Sequence, residues 1–121
     1  RYLPLDYPQR MRKWVALLKP QCLLLVKCEL WPNLLKAVKK ENTTVHIIAG
    51  RFSAKQKQLK LMRRKLQNIT HFWVQDDASA KYLQSLGINQ ITVVGDSRFD
   101  RVYANAEYNK ELPVVQTFKN N

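Results

Sequence analysis

At 121 residues and 45% hydrophobic composition, the chain is long enough for one domain with a core, too short for two, and too apolar to be disordered throughout. Its 21 Lys and Arg against 9 Asp and Glu give a net charge of +12, which favours polyanionic partners: nucleic acid, anionic lipid headgroups or a phosphorylated substrate. It contains no run of about 18 apolar residues, so no segment is expected to cross a bilayer as a helix.

The chain opens at Arg1 with no signal-peptide pattern and is expected to be a piece of a longer protein. A short apolar run at Tyr2–Leu5 is a candidate strand. Met11, Trp14, Val15 and Leu18 then follow helical spacing. Four nearly continuous apolar runs come next: Cys22–Val26, Val45–Ala49, Phe72–Gln75 and Ile91–Val94. Each reads as a strand covered on both faces. Between them lie helical patterns. Leu34, Leu35 and Val38 follow Trp31-Pro32-Asn33, with proline in the first turn. Leu59, Met62 and Leu66 form a second stripe, and Ala80, Leu83 and Leu86 a third, which stops at Gly87. Alternating strands and helices predict βαβ units and a parallel sheet. The last dozen or so residues show no clear period and read as a linker.

The two cysteines, Cys22 and Cys28, lack partners at metal-ligand spacing and read as buried thiols. His46 and His71 sit inside apolar runs and read as core residues. Neither a metal site nor a cofactor is expected.

In an open parallel sheet, ligands gather where the strands end. The segments at those ends are Lys27-Cys28-Glu29, Gly50-Arg51-Phe52-Ser53, Asp76-Asp77, and Gly95-Asp96-Ser97-Arg98-Phe99-Asp100. Ser53 and either Asp76 or Asp77 also suit helix caps. Glu29 follows a strand and precedes Trp31-Pro32, where a simple cap would favour a shorter residue. Its carboxylate could orient a hydroxyl, take a proton or pair with an arginine. Arg98 could carry function or be tied by Asp100 in a plain ion pair. The stretch from Arg51 to Lys65 carries seven basic residues, among them Arg51, Lys55, Arg63 and Arg64, and no acid. It reads as one helix with a core stripe and a basic side turned to an anionic surface.

Glu29-Leu30-Trp31-Pro32-Asn33, Gly50-Arg51-Phe52-Ser53 and Gly95-Asp96-Ser97-Arg98-Phe99-Asp100-Arg101, with the opening Tyr2-Leu3-Pro4-Leu5-Asp6, resemble the Kdo transferases in order and spacing over roughly residues 1–103. These enzymes move 3-deoxy-D-manno-octulosonic acid (Kdo) from CMP-Kdo to the lipid A precursor. The resemblance implies a truncated amino-terminal half of a GT-B glycosyltransferase: a partial Rossmann-like, acceptor-binding domain over 1–104, and a linker or tail over 105–121 toward a carboxyl-terminal domain. It implies that Glu29 and Arg98 support the transition state electrostatically. Arg98 stands where the family usually has lysine, and Lys27-Cys28 where it usually has Glu-Thr. Arg51, Lys55, Arg63 and Arg64 would face the acceptor or the membrane.

The family's proposed general base, in an upstream Gly-Ala-Ser-x-Gly-Glu motif, and its nucleotide site lie outside these residues, so the chain alone is expected to transfer no sugar. The implied partners are CMP-Kdo, the lipid A precursor and the anionic cytoplasmic face of the bacterial inner membrane; nucleic acid is not among them. Loss of the strands that would precede Cys22–Val26 is expected to expose a sheet edge and promote self-association. The competing readings are another GT-B transferase and a basic nucleic-acid-binding α/β module.

Overall fold

The structure is a computed structural model that describes residues 3–96, 98 and 101–104. Among the described residues the elements run, in chain order, α1 (Pro8–Leu18), β1 (Cys22–Val26), α2 (Pro32–Lys40), β2 (Thr44–Gly50), α3 (Gln58–Leu61), α4 (Arg63–Leu66), β3 (His71–Val74), α5 (Asp77–Ser85) and β4 (Ile91–Val93). The four strands pair in parallel in the order β1-β2-β3-β4. This is the expected α/β architecture, and the four predicted strands agree with those observed to within a residue or two at each end.

Each helix starts and stops for a local reason. Pro8 and Pro32 occupy the first turns of α1 and α2, where a missing N–H leaves no bond unmade. Asp76 caps α5 by accepting from the Ser79 N–H at 2.7 Å. Gly87, at φ 77, takes the left-handed turn after α5 that a side chain would strain. The cap of α2 comes from far away in sequence. Asp6 accepts from the backbone N–H groups of Asn33 at 3.1 Å and Leu34 at 2.9 Å, which fastens the opening segment to the helix.

The core lies on one side of the sheet. Leu25, Ile47 and Phe72 stand in register across β1, β2 and β3, with Ile91 of β4 beside Phe72. They pack against Met11, Val15, Leu34, Val38, Leu59, Leu66 and Leu83 from the helices. Full burial of each such side chain contributes about 1.5–3 kcal/mol.

Several expectations are corrected here. The strands are not covered on both faces. With this strand order every right-handed crossover puts its helix on the same face. The opposite face keeps Leu24 60% and Val26 50% exposed and leaves Ile48 and Trp73 partly open. His46 and His71 lie on that open face rather than in the core, and His71 hydrogen-bonds Thr92 at 2.8 Å. Cys22 is exposed at the sheet edge, not buried, and Cys28 is half-buried. Leu3 to Leu5 form no fifth strand; Tyr2 lies outside the described residues. Leu18 is 53% exposed because α1 ends there. The predicted single basic helix is two short helices with a break at Met62, although Leu59 and Leu66 are buried as the stripe required. The predicted linker over 105–121 lies outside the described residues.

Candidate functional site

The carboxyl ends of the four strands form a rim with one group of side chains from each. After β1, Lys27 turns the chain with φ 61, and its N–H donates to the Ile48 carbonyl at 2.8 Å. Glu29 then stands exposed, and the Trp31 indole N–H reaches its carboxylate at 3.4 Å. Glu29 therefore caps no helix: its carboxylate accepts from the Trp31 ring, and Asp6 caps α2.

After β2, a bulge between Ile47 and Gly50 redirects the chain, with Ala49 at φ 52. Gly50 has no room for a side chain, because a Cβ there would lie 2.6 Å from the Phe52 ring. Phe52 is itself buried edge-on against Phe72. The next turn is anchored twice to α5. The Phe52 N–H donates to the Ser79 hydroxyl at 2.9 Å, and the Arg51 guanidinium pairs with Asp76 at 3.2 Å. Ser53 caps no helix; its N–H donates to the Gln56 side chain at 3.1 Å. Arg51, Phe52, Ser53, Lys55, Gln56 and Asp76 line an open cleft of about 410 Å³.

After β4, Asp96 and Arg98 form a chelated ion pair, with the Arg98 Nε–H donating to Asp96 Oδ2 at 2.9 Å and its backbone N–H to Oδ1 at 3.0 Å. Hydrogen bonds from Arg98 hold the Asp96 carboxyl down to about 2, helped by the nearby Arg51 charge. The same pairing raises the already high pKa of Arg98. Asp76 is also lowered, chiefly by its hydrogen bonds with Ser79 and then by Arg51. The Asp100 considered as a partner for Arg98 lies outside the described residues; Asp96 takes that place.

Among the predicted site residues, Arg51 and Lys55 share the rim cleft. No contact joins Glu29 and Arg98 among the described residues. They follow the two outer strands, β1 and β4, which lie three strand spacings or about 14 Å apart. Arg51 and Asp76, from the inner strands, occupy the interval. Arg63 and Arg64 sit elsewhere, on α4, with the Arg63 guanidinium beside Gly87 on the turn that leads into β4. Asp6, Asp76, Asp96 and Ser79 shape the rim; the sequence marked Asp76 as a possible cap and placed Asp6 and Asp96 within motifs without assigning them a role, and Ser79 carried no signal. Among the described residues no three His, Cys, Asp or Glu side chains gather as metal ligands would. The arrangement offers an exposed carboxylate at one end, a paired guanidinium at the other, and a basic cleft between, which suits a polar substrate carrying negative charge.

Comparison with known proteins agrees with that chemistry. The model of the family described as 3-deoxy-D-manno-octulosonic-acid transferase (kdotransferase) matches residues 1–101. The chain is 32% identical over 104 residues to a 3-deoxy-D-manno-octulosonic acid transferase of Bordetella pertussis, covering 82% of this chain and 24% of that protein. It is 31% identical over 105 residues to a bifunctional glycosyltransferase/methyltransferase of Fusobacterium nucleatum, covering 81% of this chain and 16% of the relative. A 3-deoxy-D-manno-octulosonic acid transferase of Haemophilus influenzae is 25% identical over 123 residues, 96% of this chain and 29% of that protein. The chain thus spans less than a third of each of these relatives. No solved structure matches it significantly.

Proposed function

Because the chain belongs to the 3-deoxy-D-manno-octulosonic-acid transferase family, we propose that it forms the acceptor side of a GT-B glycosyltransferase moving Kdo from CMP-Kdo to a lipid A precursor. The observation that carries this reading is the rim itself. Glu29 is held by Trp31, and Arg98 by Asp96, at the carboxyl ends of a parallel sheet, with the Arg51 cleft between them.

In this reading the acceptor's phosphorylated sugar enters the cleft beside Arg51 and Lys55. Glu29 orients the attacking hydroxyl or stabilises positive charge developing on the donor sugar. Arg98 offsets negative charge on the donor carboxylate or the departing nucleotide. With the two groups at the ends of the outer strands, the donor in this reading lies across the rim, facing a second domain. The lipid-borne acceptor places the protein at the cytoplasmic face of the inner membrane. Arg63 and Arg64, away from the rim, would contribute to membrane attraction rather than to acceptor binding. In this reading copies of the chain associate along the β1 edge, which no strand pairs among the described residues.

The test uses the full-length enzyme with purified CMP-Kdo and lipid A precursor. Glu29→Gln, which keeps the size and removes the charge, is expected to lower kcat on the order of a hundredfold or more with a small change in KM. Transfer at an undiminished rate by Glu29→Gln would remove Glu29 from the mechanism. Transfer of another activated sugar in preference to Kdo would replace the donor.

A further inference from the structure

The outer surface of the helical layer carries a basic strip that the rim does not use. Lys36, Lys39 and Lys40 project from α2 at helical spacing, so three like charges stand on one exposed face. Between α2 and α4 the same face opens into a cleft of about 590 Å³, bordered by Lys36, Lys39, Lys40, Lys65 and the amides of Asn33 and Asn68. A smaller cleft between α1 and α2 adds Arg12 and is again bordered by Lys36 and Lys40. The shared lysines make the two clefts one continuous strip across three helices. It has no acid among its lining residues, and none of its five cations forms an ion pair among the described residues.

Local needs account for only part of this charge. Lys39 and Lys40 fall in the last turn of α2, where cations complement the helix dipole. Lys65 also falls in a last turn, that of the four-residue α4, but Lys36 and Arg12 stand mid-helix, where no end field draws them.

We propose that this strip is a docking surface for an anionic lipid bilayer. The strip calls for a negatively charged partner, because five cations without an ion pair among the described residues repel one another and are relieved by anions. The strip is open and broad, which suits a layer of phosphates better than one small anion. Four of its five cations are lysines, whose mobile point charges match a fluid array of headgroups, whereas fixed two-point recognition would favour arginine. No aromatic side chain borders it, so stacked bases find no platform there. The floor, Leu35, is buried, so the grip is electrostatic and sensitive to salt. The strip begins at Asn33, two residues past Trp31, and docking along it brings the Glu29 end of the rim to headgroup level. This inference rests on the membrane setting of the transferase reading and deepens it by moving the main contact from Arg63 and Arg64 to the strip; vesicle binding reads it separately from sugar transfer.

The test is co-sedimentation of the 121-residue chain with phosphatidylglycerol-containing vesicles, with neutral phosphatidylcholine vesicles as the reference. The strip variant is Lys36→Glu/Lys39→Glu/Lys65→Glu. Its control is Lys13→Glu/Lys57→Glu/Lys81→Glu, which changes net charge equally at exposed positions outside the strip. The wild type is expected to bind anionic vesicles only, with affinity falling as salt rises. The strip variant should lose at least about tenfold more affinity than the control. Circular dichroism verifies folding, and Lys→Gln replacements at the same three positions serve if the glutamates unfold the chain. Equal losses in the two variants would reduce the effect to net charge and overturn the proposal. So would absence of wild-type binding, equal binding to neutral vesicles, or a strip variant that loses duplex DNA while retaining vesicles. Vesicle binding that survives in the strip variant but fails in Arg63→Glu/Arg64→Glu would move the contact to α4 and leave the rim reading intact.

Discussion

The Cys28 thiol donates to the carbonyl oxygen of Arg51 across 2.6 Å, which ties the loop after β1 to the loop after β2. Cys28 precedes Glu29, and Arg51 is the guanidinium of the rim cleft. One contact therefore ties the loop that carries the exposed carboxylate to the loop that carries Arg51. Arg51 is fixed from both sides, by Cys28 at its backbone and by Asp76 at its side chain.

Ala49 occupies the left-handed region at φ 52 next to the bulge that aims Arg51. A residue with a Cβ gives up about 1–2 kcal/mol in that conformation. Ala49→Gly is therefore expected to stabilise the domain by about 1 kcal/mol, part of the gain being offset by greater unfolded-state freedom. Urea unfolding measures it, and an unchanged or lower midpoint would contradict it.

Asp76→Ala removes the α5 cap and the partner of Arg51 together. The cap loss is expected to cost about 1 kcal/mol in a denaturant titration. Asp76→Asn should restore most of the cap but not the ion pair. Stability should therefore follow the cap, while any activity change shared by both variants reports on the positioning of Arg51.

The Asp96 carboxyl, held down to about 2 by Arg98, titrates below its ordinary value of 3.8. A depressed carboxylate stabilises the fold above the unfolded value, and that contribution is lost as the pH falls through the folded one. The Asp96–Arg98 pair should accordingly persist from neutral pH to below 3.8 and open near 2. In Arg98→Met, the Asp96 carbonyl resonance should titrate close to the ordinary value, as followed by carbon NMR. A midpoint that stays near 2 would mean that another group holds Asp96.

Copies of the chain are expected to associate in sedimentation equilibrium, because β1, with its exposed Leu24 and Val26, is an edge that no strand pairs among the described residues. Leu24→Lys with Val26→Lys should shift the population toward monomer. A wild type that stays monomeric at high concentration would dismiss self-association.

The alternation of apolar runs with helical stripes was enough, without coordinates, to give the parallel α/β sheet, its four strands and the rim at their ends. Strand periodicity and Pro or Gly at helix ends are local signals, and they survive folding. The motif around Glu29 was legible for the same reason, since its residues are consecutive.

What the sequence could not carry were relationships between segments far apart in the chain. Asp6 capping α2, Cys28 meeting Arg51, and Ser79 holding the Phe52 backbone each join residues more than twenty positions apart. No periodicity encodes such contacts. Strand order also decided what apolar runs alone left ambiguous. A continuous apolar strand reads as buried on both faces, but the order β1-β2-β3-β4 puts all the crossover helices on one side and leaves the other open. Similarly, the family resemblance implies a shared role for Glu29 and Arg98 but says nothing of how they are placed across the sheet. Only the tertiary structure set them on opposite edges of the sheet, with Arg51 between, because their separation is fixed by strand order and not by spacing in the sequence.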